Sequence, residues 1–81
     1  MKSDLFSELE AKWPSAIVSR NQVGQFSGGL VSAGTMANMD SRGQGPAQRI
    51  LMGQRRVAYP VRELTDWLRK RCNVINKEGE K

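Results

Sequence analysis

Eighty-one residues, 38% of them apolar and 26% charged, are enough for one small domain with a marginal core, and they exclude a chain disordered by its composition. No apolar run approaches the length of a membrane span, and a net charge of +5 favours a polyanionic partner over a basic one. One cysteine, Cys72, and no histidine exclude an internal disulfide and remove the commonest general base and metal ligand, so neither a catalytic residue nor a cofactor is expected.

The first expected element is a helix within residues 1–14. Ser3 can cap it, Asp4 suits its positive end, and Leu5, Phe6, Leu9 and Trp13 form an apolar stripe that Pro14 terminates. Two aromatics and two leucines on one face favour packing on the rest of the chain. Ala16 to Val18 is long enough for only an edge strand or an extended lead-in. Ser19 precedes Gln22 at capping-box spacing, and Val23 and Phe26 lie one turn apart, which predicts a short helix from Arg20 to about Ser27. Gly28-Gly29 breaks it. Ser32 is a second good N-cap, opening a helix over Ala33 to Ser41 with Ala33, Met36 and Met39 as its apolar residues and Arg42 in its last turn. Gly43, Gly45 and Pro46 end that helix.

Next comes a β-hairpin. In Gln48 to Met52 and Arg56 to Tyr59 the apolar residues fall two apart, so Ile50, Met52, Val57 and Tyr59 are expected on one face. Gly53-Gln54 suits a tight turn that pushes Gln54, Arg55 and Arg56 outward at the tip. Pro60 closes the second strand and fits the first turn of a helix carrying Val61, Leu64, Trp67 and Leu68 at helical spacing. Residues 15–72 thus read as one folded unit, and residues 73–81 as a polar, flexible tail.

Charge separates along the same lines. Residues 14–77 hold ten basic residues against Asp40, Glu63 and Asp66, whereas each end is slightly acidic. Eight of the thirteen basic residues are arginines, whose planar fork suits phosphates and guanine edges. Helix, glycine turn, helix, hairpin and closing helix is the order of a small α+β winged helix-turn-helix, with an extra N-terminal helix here. In that arrangement the second helix enters the major groove and the hairpin, as a wing, reaches the minor groove beside it. Thr35, Asn38 and Arg42, spaced i, i+3, i+7, suit a phosphate or thymine methyl, an adenine edge, and a guanine or phosphate respectively. Ser32 opens the same helix. Arg55 and Arg56, with Gln54 between the strands, supply wing contacts, while Arg20 and Arg49 support the grip on the backbone.

Other chemistries fit less well. Gly24, Gly28 and Gly29 resemble a phosphate loop in part, yet Leu30 and Val31 stand where a lysine and a hydroxyl are needed. Glu63 and Asp66 lie beside Arg62, Arg69 and Lys70 on one helix and read as a solvated face. Trp67 and Tyr59 read as core residues rather than stacking platforms.

A wider pattern runs through Val18-Ser19-Arg20 and Val23, Val31-Ser32 and Thr35-Met36, then Arg42-Gly43-Gln44-Gly45-Pro46. It continues in Gly53, Arg55, Arg56-Val57, Tyr59, Glu63-Leu64 and Trp67-Leu68. Over about 50 residues, from Ile17 to Leu68, the chain resembles the small phage and plasmid excisionases and AlpA-type regulators that share a MerR-like winged-helix domain. The resemblance implies a protein without an active site. Such a protein binds adjacent sites on double-stranded DNA beside copies of itself, bends the arm of an attachment site, and steers a tyrosine integrase toward excision. It would act in a bacterial cytoplasm, at the nucleoid, an expectation in keeping with the absence of an apolar signal-peptide core. Two alternatives stand beside it: a promoter-binding regulator of the AlpA kind, and an adaptor that binds proteins through the acidic N-terminal helix or the Arg69 to Lys81 tail.

Overall fold

In the computed structural model, which describes residues 5–53 and 55–72, the elements follow in the order α1 (Leu5–Lys12), β1 (Ile17–Ser19), a 3-10 turn (Arg20–Gln22), α2 (Val23–Phe26), α3 (Ala33–Ser41), β2 (Ile50–Met52), β3 (Arg56–Pro60) and α4 (Val61–Arg71). Among the described residues this is an α+β fold of four α-helices and one three-stranded antiparallel sheet, with strand order β1-β3-β2. The expected Ser3 cap, the contact of Gln54 and the tail 73–81 lie outside the described residues.

The core forms where one sheet face meets the helices. Val18 of β1 pairs with Tyr59 of β3, and both are fully buried. Val23 and Phe26 from α2, Met36 from α3, and Leu64 and Leu68 from α4 close over them. Phe6 of α1 joins the same cluster, so the N-terminal helix is packed on the core. Burying a phenylalanine of this kind contributes about 2 kcal/mol. Trp13 locks the helix end: its ring meets Phe26 edge-on at 5.4 Å and its Nε1 donates to the Ile17 carbonyl at 2.8 Å. Arg69 Nη2 donates to Ser7 Oγ at 3.1 Å, tying α1 to α4.

The helix predicted from Arg20 to about Ser27 is shorter than expected. Arg20 to Gln22 wind as a 3-10 turn before the single α-turn of α2, and Gln22 Oε1 accepts from both the amide (3.4 Å) and the hydroxyl (3.1 Å) of Ser19. Gly28 and Gly29 adopt φ of 68° and 91°, a region that side chains with a Cβ rarely enter. Their amides then return to the Gln25 and Gly24 carbonyls, satisfying acceptors the helix end leaves open. Buried Ser27 accepts from the Val31 amide at 3.2 Å and fixes the path to Ser32. α3 has both predicted limits; the Gly43 and Gln44 amides close it on the Asp40 and Met39 carbonyls. Arg42 is its C-cap rather than a residue of the last turn.

The hairpin corrects the expected register. Ile50 faces Ala58, Leu51 faces Val57 and Met52 faces Arg56 across the strands. Leu51, Val57 and Tyr59 therefore share one face, while Ile50 and Met52 share the other with Ala58 and Arg56. The cause is the turn: residues 53–55, not Gly53-Gln54 alone, separate the strands, and a one-residue change flips every side chain. β2 is also shorter than the predicted Gln48 to Met52. Pro60 ends β3 as expected but serves as the N-cap of α4 instead of entering its first turn. The first α4 amide, Val61, then donates to the Ala16 carbonyl at 2.8 Å, coupling the sheet edge to the helix start.

Candidate nucleic-acid interface

α3 begins at Ser32, whose Oγ accepts from the Thr35 amide at 3.1 Å and lies 3.1 Å from Thr35 Oγ1. Both hydroxyls are thus part of the cap, with lone pairs to spare. Asn38 and Arg42 are exposed, and their side chains make no hydrogen bond or ion pair among the described residues. On the inner side of α3, Met36 is fully buried.

One turn beyond Met36, Asp40 turns inward with a side chain only 5% exposed. Its Oδ2 accepts from Arg20 Nη2 at 2.6 Å and from the Tyr59 hydroxyl at 2.6 Å, while Arg20 Nε donates to Tyr59 Oη at 3.1 Å. Arg49 Nη1 stands 3.6 Å from Oδ1, which is buried and accepts no hydrogen bond. One carboxylate therefore joins α3, the 3-10 turn, the central strand and the loop before β2. Gly45 packs against this carboxylate so closely that a Cβ would overlap Oδ1, so any larger residue there would have to displace the Asp40 side chain from its bonds. In the sequence, Asp40 reads only as one of three acids in a basic region, and its partners lie far from it in the chain.

The network changes the two tyrosine- and arginine-borne equilibria. Burial works against the charged Arg20 guanidinium, but its bonds to Tyr59 and Asp40 outweigh that cost and raise its pKa. For Tyr59, burial and the bond to Asp40 raise the phenol pKa above its ordinary value, with Arg20 opposing. Stability from a raised phenol pKa is fully present below about pH 10, the unfolded value, and is lost as pH climbs through the folded one. Tyr59→Phe is expected to lower stability by about 1–2 kcal/mol at neutral pH and to lose stability less steeply above about pH 10. Urea melts at neutral and alkaline pH would measure both, and parallel pH slopes for the two proteins would refute the coupling.

Arg20 also reaches a second feature. Ser19, Arg20, Asn21, Arg55, Arg56 and Val57 line an open cleft of about 260 Å3 between the 3-10 turn and the hairpin tip. Arg55 and Arg56 are exposed and hold no ion pair among the described residues. The predicted site residues thus fall into two sets: Arg20, Arg55 and Arg56 gather at this cleft, whereas Ser32, Thr35, Asn38 and Arg42 follow α3. Arg49 is half-exposed and leans toward Asp40, so its charge is partly offset.

The loop between the two sets is anchored from α4. Trp67 Nε1 and Arg71 Nη2 both donate to the Gln44 carbonyl, at 2.8 and 3.2 Å, with the Arg71 guanidinium 5.2 Å above the Trp67 ring. Such donors hold the end of α3 and Gly45 in place. Cations without acids close by, set on short rigid elements, can bind phosphates and base edges. Among the described residues, no three acidic, cysteine or histidine side chains converge as a metal site would require, and no helix is long and apolar enough to cross a membrane. Compared with protein-family models, curated proteins and solved structures, the chain matches none.

Proposed function

We propose that the chain is an architectural protein for double-stranded DNA of the excisionase kind, a winged helix-turn-helix in which α2 and α3 form the paired helices and β2–β3 the wing. The observation that carries this reading is the hairpin tip: Arg55 and Arg56, without acidic partners among the described residues, share a cleft with Arg20 on a scaffold whose α3 leaves Asn38 and Arg42 unengaged by them. α3 offers the major groove few long side chains, since Gly34 and Ala37 accompany Asn38 on it. Weak base reading combined with strong backbone contact suits a protein that binds in neighbouring copies and deforms DNA. Its proposed role is to bend the arm of an attachment site and steer a tyrosine integrase toward excision.

Selection of sheared fragments from the encoding genome, at moderate salt, tests this directly. Clustered sites beside an integrase gene are expected. A lone promoter site would replace the proposal by a regulator of the AlpA kind. Fragments no different from input would reject sequence-directed binding and leave the protein-binding adaptor.

A further inference from the structure

β2 is unusual for an edge strand. Ile50, Leu51 and Met52 are 42%, 59% and 72% exposed, although each is a large apolar side chain. Among the described residues the strand pairs only with β3, which leaves its outer edge without a partner strand there. From the register, Leu51 stands on the Val57 side and Ile50 and Met52 on the Ala58 side, so apolar groups leave both faces of the strand. A flat partner laid on one face would cover only one or two of the three; a groove that receives the hairpin would cover both faces.

Charge identifies the groove. From Arg49 to Arg56 the hairpin has three arginines and no acid. A complementary groove has anionic rims and apolar walls, which describes the minor groove of double-stranded DNA, with its phosphates outside and its sugars and base edges within. Proteins that kink DNA there combine basic residues with an apolar side chain inserted between base pairs. We propose that Met52, next to the turn and the most exposed of the three, is such a wedge: it opens a base step from the minor groove while Arg55 and Arg56 hold the flanking phosphates. The inference rests on the DNA-binding reading and adds to it the residue that makes the bend. Flexible, unbranched methionine suits a gap of variable shape.

The experiment uses the whole chain and an A·T-rich duplex of about 30 base pairs with a central TA step, the kind most easily unstacked. One strand carries 2-aminopurine at that step, whose fluorescence rises on unstacking, and anisotropy reports binding on the same sample. The wild-type chain is expected to raise the fluorescence at saturation, Met52→Leu to retain the rise, and Met52→Ser to abolish it. Because the arginines remain, the Met52→Ser affinity is expected to stay within about tenfold of wild type. A side chain this exposed should not affect folding, which thermal melts of each variant would verify.

Binding without a fluorescence rise, or a rise that survives Met52→Ser, overturns the wedge and leaves the DNA-binding reading intact. No binding to the duplex, or to fragments from the genomic selection, overturns both. Two further outcomes would overturn the wedge by giving the strand another occupant. One is flotation with phosphatidylserine vesicles, in preference to the duplex, that Met52→Ser abolishes. The other is self-association of the free chain in sedimentation that the same substitution removes.

Discussion

Replacing Asp40 with alanine is expected to destabilise the fold by about 3 kcal/mol, at the lower end of the range for breaking a buried ion pair. The substitution removes the acceptor shared by Arg20 and Tyr59 and leaves a guanidinium that is only 24% exposed without its counter-charge. That remaining exposure lets Arg20 turn partly to solvent, which is why the larger values in the range do not apply. In a domain of this size such a loss lowers the melting temperature by roughly 15 °C. Asp40→Asn retains an acceptor but no charge and is expected to cost about half as much. Thermal or urea denaturation of both variants checks the order. An Asp40→Ala protein as stable as wild type would mean that the network is incidental to the fold.

Local signals were strong wherever an element is decided by its own residues. Ser32 marks the start of α3 and Gly43 its end, and both limits agree with the chain pattern. The Val61, Leu64 and Leu68 stripe likewise marks α4, where Leu64 and Leu68 are buried. The hairpin register was not legible, because Ile50, Leu51 and Met52 are consecutive apolar residues and alternation cannot choose a face among them. Turn length chooses instead, and a loop of two residues is as compatible with glycine as one of three.

The same contrast separates the parts of the candidate site. Arg55 and Arg56 stood out from composition alone, since no acid lies near them in the chain. Asp40 did not, because its partners are 20 positions before it and 19 after. A signal was nevertheless present: Met36 is a core position, and the residue four further on lies over the same helix face. An acid there needs buried partners. Arg20 and Tyr59 provide them, so Arg20 fixes the hairpin against α3. A substitution at Arg20 would therefore confound folding with binding.

Arg55 and Arg56 are free of that complication, and their joint replacement by alanine is the sharper test of function. Both are exposed strand or turn residues without a partner among the described residues, so the fold should be unaffected. If each neutralises one phosphate, the dependence of log K on log salt becomes shallower by about 1.8, at about 0.9 per contact. Affinity for duplex DNA at physiological salt is expected to fall on the order of 10- to 100-fold, with the loss shrinking as salt rises. Titrations of wild type and the double variant at several salt concentrations measure slope and affinity together. A reduced affinity with an unchanged slope would point to lost shape rather than lost charge. If neither changed, the arginine tip would be a solvated surface, and the hairpin could not be the DNA-binding wing.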